Sequence, residues 1–342
     1  MKKQKNLLVT LADKNYVKQA KQLFSSVYWN AGWKGDYMLL AHEIPEKELK
    51  WFRKKGILIK KCRPLVNKEL KQGKWKKLVF SKAYLFTRYF KKWKLVLFLD
   101  ADIIVRFSLN SLLKKGFWAA KGHNTREKLL IGKFHARINN CNYEKYKKLR
   151  KQLHLNSPAF NTGVMLFDTQ LIKSDFAKFK SMIKEYGEIS ASGEELIFNL
   201  FIGNKWKKLK KYYNLCPDYS LNNYKIKKEE IKAIILHFSL EKPWNKSSPF
   251  YEEWKNNLKK AEKINLRAIP KAKSPDNKSL NLFLRKLKNN ALPVRIRESY
   301  SNFKISADSK IGLAGILLKR YSPRTYIKLK YWLIKNHLIN EK

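Results

Sequence analysis

The sequence holds little sulfur, few acids and no apolar stretch long enough to cross a bilayer. Its three cysteines, Cys62, Cys141 and Cys216, are scattered. They form neither a disulfide framework nor a metal knuckle, which suits a reducing compartment. Apolar runs such as Leu95–Leu99 fall far short of the roughly 20 residues a membrane helix needs. Near the amino end the stretch from Leu7 to Ala12 is broken by Asp13 and Lys14. It is too short for the apolar region of a secretory leader and reads as a first strand, so a cytoplasmic location is expected. Acids number only 27 against 75 Lys and Arg, a net charge of +48. That imbalance attracts anions but does not choose among phosphate, nucleic acid and anionic lipid. Richness in Lys, Asn and Ile together is also what an AT-rich genome encodes. The charge is spread along the chain, residues 265–342 carrying 18 Lys and Arg against four acids. With no helix-turn-helix, zinc-finger or RNP-type signature, nucleic acid is not the expected partner.

What is present is ample material for a core: 44% hydrophobic and 13% aromatic residues in 342, enough for one large domain with an appendage or for two domains. Strand-like and helix-like segments alternate to about residue 240. The strand "NLLVTLA" precedes a helical period with Tyr16, Val17, Ala20, Leu23, Phe24 and Val27 on one face. "DYMLLAH" follows as a strand. Pro45 then opens a helix through Leu49 and Phe52, and Gly56 stands at a C-cap position. After the strand "ILIKKC", the residues Val79, Ala83, Phe86 and Phe90 predict one helix leading to the strand of "KLVLFLDADIIVRF". Residues 121–157 are polar and irregular, and are a candidate acceptor-side insertion. "AFNTGVMLFD" and "AIILHFS" read as later strands, with a helix through Phe176, Phe179, Met182, Ile183 and Tyr186 between them. Such alternation predicts an α/β domain with a largely parallel sheet. From about 265 the pattern becomes basic and Pro-punctuated. Ser322-Pro323 reads there as a helix start, with Ile327, Tyr331, Ile334 and Leu338 on one face beside Trp332, and Arg324, Lys328 and Lys335 on another. A basic aromatic helix of this kind suits either an anionic membrane surface or packing on the catalytic domain.

Two acids, Asp100 and Asp102, interrupt the apolar text of "LVLFLDADIIV". Side chains alternate along a strand, so the pair is expected to project to one side, at the carboxyl end where open α/β sheets bind ligands. Converging carboxylates repel unless a cation or proton lies between them. A divalent metal resolves the conflict and leaves positions for a phosphorylated ligand; the alternative is a pair of strand-end aspartates capping the next helix. His237 also ends an apolar strand, and "HFSLEKPW" places Lys242 five residues on. A neutral imidazole completes a mixed oxygen and nitrogen shell suited to Mn²⁺, and Lys242 offers a point charge for phosphate. The alternative for His237 is a satisfied structural histidine.

Four ordered blocks, "VTLADKNY", "SKAYLFTRYFKKWKLVLFLDADIIV", "FNTGVMLFD" and "HFSLEKPW", resemble glycosyltransferase family 8, the retaining GT-A enzymes that include glycogenin and bacterial lipopolysaccharide galactosyl- and glucosyltransferases. The resemblance spans about residues 5–250. It implies a GT-A, Rossmann-like α/β fold with a mostly parallel mixed sheet over residues 1–264, followed by a basic, aromatic helical extension over 265–342. Asp100, Asp102 and His237 would hold Mn²⁺, or Mg²⁺ as the alternative ion, across the diphosphate of UDP-glucose or UDP-galactose. Thr10, Leu11, Asp13, Tyr16, Asp100 and Ala101 would contact the nucleotide, Tyr16 near the uracil and Asp100 near the ribose. Lys82 and Asn161 would face the sugar and Lys242 the diphosphate. The implied reaction moves a hexose, with retention, to a lipopolysaccharide or other surface-glycan acceptor.

Two departures stand out. "GEELIFN" puts Glu194-Glu195 where the family usually has Asp-Gln, so Glu195 would bring a carboxylate beside the anomeric carbon, as stabiliser or nucleophile, or would alter acceptor binding. Leu240 stands where the family generally has Gly. Three rivals remain at this stage: a glycogenin-like protein that glucosylates itself on one of 17 tyrosines, a haloacid-dehalogenase-type phosphatase, and a nucleic-acid-binding protein driven by charge.

Overall fold

In the computed structural model, residues 4–66, 77–126, 157–172, 176–187, 192–222 and 224–290 are described, together with 129, 148, 149 and 190. Nine strands organise them: β1 (Leu7–Ala12), β2 (Asp36–His42), β3 (Leu58–Cys62), β4 (Leu95–Leu99), β5 (Ile103–Val105), β6 (Phe117–Thr125), β7 (Pro158–Asp168), β8 (Trp206–Leu209) and β9 (Ile235–His237). Seven form one sheet in the order β3-β2-β1-β4-β7-β6-β8, and β5 pairs with β9 in a second. Within the large sheet only β7 runs against its neighbours, antiparallel to both β4 and β6. This is the mostly parallel α/β sheet that the alternating sequence predicts.

Both faces of the sheet are covered, which is why its central strands read as unbroken apolar text. On β1, Leu8 and Ala12 enter one core, and Leu7, Val9 and Leu11 enter the other. Helices α1 (Val17–Ser26), α2 (Glu46–Lys54) and α5 (Tyr251–Lys260) bury Val17, Leu23, Leu49, Phe52 and Trp254 in the first core. Helices α3 (Phe176–Tyr186) and α4 (Glu194–Ile202) bury Phe179, Ile183, Leu196 and Phe198 in the second. There Phe86 stacks with Phe167 and Phe179, at ring centroid distances of 5.4 and 5.7 Å. Phe198 lies 5.7 Å from it and Phe201 5.2 Å. This cluster fixes α4 against the sheet, and with it the two glutamates that open that helix.

Two local readings differ from expectation. Residues 77–92 are not one helix but a helical turn, Lys77–Phe80, and two 3-10 turns, Ser81–Phe86 and Arg88–Lys92, separated by an extended Thr87 (ψ 152°). The tighter turns let Phe80, Leu85, Phe86 and Phe90 all enter the second core while the buried Lys82 points elsewhere. The text around "DAD" is not one strand either: β4 ends at Leu99 and β5, beginning at Ile103, belongs to the other sheet.

Residues 265–290 lie on the first core. Tyr28 donates through its hydroxyl to the carbonyls of Asn265 (3.1 Å) and Ala268 (2.6 Å). Gly32, at φ 55°, lies so close to this segment that a Cβ would meet Ala272 N and Pro270 O at 2.8 Å. Only glycine tolerates both the backbone angle and the approach. A closing helix over 277–290 buries Leu280, Phe283 and Leu287. Among the described residues no helix is long and apolar enough to cross a membrane. The amphipathic segment after Ser322 and most of the candidate insertion at 121–157 lie outside the described residues.

Candidate active site

The ends of β4, β7 and β9 and the start of α4 meet at one place. At the end of β4 the Asp100 N–H still donates to Gly163 O (2.9 Å). The chain then turns through Ala101 and Asp102 into β5, so Asp100 and Asp102 sit in the hinge between two sheets. Strand alternation is therefore not what aligns them. Their convergence is set by the antiparallel pairing of β5 with β9, which places His237 opposite Ile103 and lets Asp102 O accept from the N–H of Phe238 (3.0 Å). His237 Nε2 lies 3.3 Å from Asp102 Oδ1 and 3.8 Å from Asp100 Oδ2. Lys242 donates to Asp102 Oδ2 (2.7 Å) and to Phe238 O (2.6 Å).

One ligand atom from each of Asp100, Asp102 and His237 lies within 4.8 Å of the others. Asp102 Oδ1 is buried and makes no hydrogen bond in this arrangement. A desolvated carboxylate oxygen without a partner is costly, and two carboxylate oxygens with an imidazole nitrogen are a donor set that takes a divalent cation such as Mn²⁺. The residues thus fit a metal ion. Burial would raise the Asp102 pKa, but the His237 and Lys242 charges more than reverse this and hold it well below the usual carboxylate range. For His237 burial lowers the value, and Asp102 and Asp100 together leave it raised.

Gly163 is what makes room for the imidazole. A Cβ there would lie 2.3 Å from His237 Cε1 and 2.9 Å from Nδ1. Gly163→Ala is expected to displace the ring, weakening the hold of this donor set on a divalent cation at least about tenfold and destabilising the protein by about 1–3 kcal/mol. Calorimetric titration and a thermal melt check this; unchanged affinity would show that the ring has room to spare.

Lys82 is buried. Its neighbour Ser81 shares a 2.8 Å hydrogen bond with His42 Nδ1 at the end of β2, which anchors the turn. From there the Lys82 ammonium reaches Asp100 Oδ1 (2.8 Å) and Glu194 Oε1 (2.7 Å). Thr162 Oγ1 donates to the same glutamate oxygen (3.1 Å). Burial would lower the Lys82 pKa, but Asp100 and Glu194 reverse that and leave the ammonium firmly protonated.

Glu194 and Glu195 occupy the first turn of α4, where the helix dipole favours negative charge. Glu195 Oε2 accepts from Asn161 Nδ2 (3.0 Å). Burial and the neighbouring Glu194 charge push the Glu195 carboxyl up to about 7, against smaller opposing effects of Lys82 and Asn161. Two neighbouring carboxyls thus stand in different environments, one ion-paired and one raised, which is how acid–base roles are separated.

The expected nucleotide residues divide. Tyr16 is half-buried, edge-on to Trp244 with centroids 5.8 Å apart. Its pKa is raised, burial being the largest cause. Asp13 uses its carboxylate to cap the turn before α1, accepting from Asn15 N (2.9 Å) and Tyr16 N (3.1 Å). Thr10 and Leu11 are buried in the body of the domain, backbone included, where β1 pairs with β2. Ala101 is buried in the hinge, and Leu240 is 65% exposed. The motif reading missed Thr162 and Asn214. Thr162 stands inside "FNTGVMLFD", so it was within sight; Asn214 carries no motif at all.

A mostly parallel sheet with paired acids after β4, a histidine ending β9 and carboxylates opening α4 is the architecture of a GT-A-like glycosyltransferase. The family model described as Glycosyl transferase family 8 matches residues 7–248, and the chain belongs to that family. Among solved structures it is similar to an active-site mutant of LgtC in which glutamate replaces glutamine. That pair is 17% identical with a TM-score of 0.58, covering 74% of this chain and 95% of the other. It is also similar to the galactosyltransferase LgtC in complex with donor and acceptor sugar analogs (16%, TM-score 0.53, 74% and 95%). GlyE from Streptococcus pneumoniae TIGR4 is 21% identical, with a TM-score of 0.51 and coverage of 75% and 60%. At these identities the likeness is one of fold. No curated protein matches the chain.

Proposed function

We propose that this glycosyltransferase moves glucose or galactose from a UDP-sugar, with retention, to a lipopolysaccharide or other surface-glycan acceptor. The reaction would depend on Mn²⁺, with Mg²⁺ as the alternative ion. The observation that carries this reading is the convergence of Asp100, Asp102 and His237, with the His237 Nε2 3.3 Å from a buried Asp102 oxygen. When bound there, the cation supplies Lewis-acid stabilisation of negative charge on the departing diphosphate. Lys242, already against Asp102, adds a positive charge on the same side, so leaving-group stabilisation needs no proton transfer. Tyr16 and Trp244 offer aromatic surface for the base, and Asp13 orders the loop carrying Tyr16. Lys82 holds Asp100 and Glu194 together and presents positive charge toward the sugar.

Glu195 is read as the carboxylate that stands in place of the family's glutamine, next to Asn161, stabilising oxocarbenium character or acting as nucleophile. Its carboxyl is raised to about 7, so it is protonated below that pH and ionised above it. Turnover is expected to rise with pH through about 7, and bound Mn²⁺ moves this limb lower by favouring the anion. Glu195→Gln should bind donor normally, lose the limb and lower turnover. Wild-type turnover with an unchanged pH profile would remove Glu195 from the mechanism.

The decisive experiment is a panel of UDP-sugars with Mn²⁺, scored for hydrolysis and transfer, with chelator and Asp102→Asn as controls. Turnover of one hexose donor that disappears with chelator supports the reading; inactivity on every UDP-sugar would overturn it. The basic, aromatic segment from Ser322 is proposed to dock on anionic membrane, holding the enzyme near its acceptor at the inner face. Liposome flotation with and without residues 322–342 tests this, equal binding counting against it.

A further inference from the structure

Asn214 follows the turn Lys211–Tyr213, and the next residue, Leu215, is bridged to Leu236 of β9. That bridge carries the Asn214 side chain between His237 and Asn161. Its Oδ1 lies 2.8 Å from His237 Nδ1, and its Nδ2 donates to Asn161 Oδ1 (2.9 Å). Asn161 Nδ2 in turn donates to Glu195 Oε2 (3.0 Å), while Asn161 Oδ1 also accepts the backbone N–H of Gly163 (3.0 Å). One hydrogen-bonded chain therefore runs from His237 to the first turn of α4.

The direction of this chain is fixed at one point. A backbone N–H can only donate, so the Asn161 atom facing Gly163 is its oxygen. The Asn161 nitrogen then faces Glu195, where it meets an acceptor. Asn214 must offer its nitrogen to the Asn161 oxygen, which turns its own oxygen toward His237. His237 Nδ1 must then carry a proton. In the neutral ring that leaves Nε2 with its lone pair, facing Asp102 and Asp100 at 3.3 and 3.8 Å. Partners of this kind, holding the far nitrogen of a metal-binding histidine, set its tautomer and ring angle.

We propose that Asn214 is a positioning residue that holds His237 in the Nδ1–H tautomer with Nε2 turned to the cation site, and that sets the Glu195 carboxylate relative to that site through Asn161. It has a counterpart in Lys82, which ties Asp100 to Glu194. Two of the three metal-facing residues, Asp100 and His237, are thereby each linked to one of the two glutamates, and the diphosphate end of a donor is registered to its sugar end. The inference rests on the metal-dependent reading above.

Two variants separate the two halves of the role. Asn214→Leu removes both hydrogen bonds. Asn214→Asp keeps the acceptor for His237 but sets an oxygen against Asn161 Oδ1. Three measurements are made: ¹⁵N NMR of His237 in metal-free protein at alkaline pH, calorimetric Mn²⁺ affinity without nucleotide, and turnover. Asn214→Leu is expected to mix the tautomers and to weaken Mn²⁺ by about 10–100-fold. Asn214→Asp should keep the tautomer and the Mn²⁺ affinity of the wild type while losing about tenfold or more in turnover, as Asn161 is displaced from Glu195. Should Asn214→Leu fail to fold, Asn214→Ala, which also removes both hydrogen bonds, takes its place against Asn214→Asp, with the same losses expected and the same results overturning the proposal. A wild-type tautomer and affinity in Asn214→Leu would overturn the proposal. So would parallel losses of affinity and turnover in both Asn214 variants. If wild-type protein itself binds no Mn²⁺, the metal-dependent reading fails, whereas the tautomer comparison still judges Asn214.

Discussion

Lys82→Met is expected to destabilise the protein by about 3–5 kcal/mol, because it leaves buried charge unpaired. The ammonium is the shared partner of Asp100 and Glu194, at 2.8 and 2.7 Å, and both it and Glu194 are buried. Methionine fills the volume of the stem but supplies no charge, so Glu194 keeps only the Thr162 hydroxyl. In a domain of this size the melting temperature should fall on the order of 10 °C. Glu194→Gln in the same background removes one of the two orphaned charges and should recover part of the loss. A double-mutant cycle then reads a coupling energy of about 1–3 kcal/mol. A Lys82→Met protein as stable as the wild type would mean that water reaches these carboxylates and that the strut does not hold the site together.

Asp102→Asn should leave the fold standing and abolish metal-dependent behaviour. The amide has nearly the same shape, and Lys242 keeps its bond to Phe238 O. What disappears is the negative charge that faces both His237 and Lys242. A loss of about 10³ or more in kcat/KM is expected, equivalent to roughly 4 kcal/mol of transition-state stabilisation. Wild-type protein should gain about 2.7 kcal/mol of stability when Mn²⁺ is supplied at 100 times its Kd, and Asp102→Asn should gain none. Thermal melts with and without Mn²⁺, alongside turnover, separate these outcomes. An Asp102→Asn enzyme still stabilised by Mn²⁺ would place the ion elsewhere.

The fold was legible in the sequence where burial repeats at a fixed period. The strands around Leu8, Met38 and Leu97 are apolar throughout because both sheet faces are covered, and α3 shows its core face through Phe179 and Ile183. The reading failed where the same apolar spacing fits two backbones. Val79, Ala83, Phe86 and Phe90 suit one α-helix, yet the chain breaks at Thr87 so that Phe90 reaches the second core. "DADII" failed similarly: an apolar run on each side of two acids looks like one strand, and nothing local reports that its halves join different sheets.

The individual groups at the site were legible for chemical reasons. Asp100 and Asp102 stand out because carboxylates in apolar text need an explanation, and His237 because it ends a strand as they do. Lys82 was singled out by resemblance alone, since one lysine among so many carries no local signal. Asn214 was silent, because its role lies in which way its amide is turned, and that depends on a backbone N–H of Gly163, 51 positions earlier in the chain.

The sequence by itself determined the alternating α/β order, the acids at the end of β4 and the histidine at the end of β9, which follow from periodicity and from the cost of burying charge. The paired glutamates that open α4 stood out only against the family pattern. Tertiary structure alone decided how they meet. The β5–β9 pairing carries His237 to Asp102, Lys82 ties Asp100 to Glu194, and Asn214 and Asn161 tie His237 to Glu195. Those contacts join residues 18 to more than 130 positions apart. No local pattern encodes them, because a hydrogen bond's partner and direction exist only once the chain has folded.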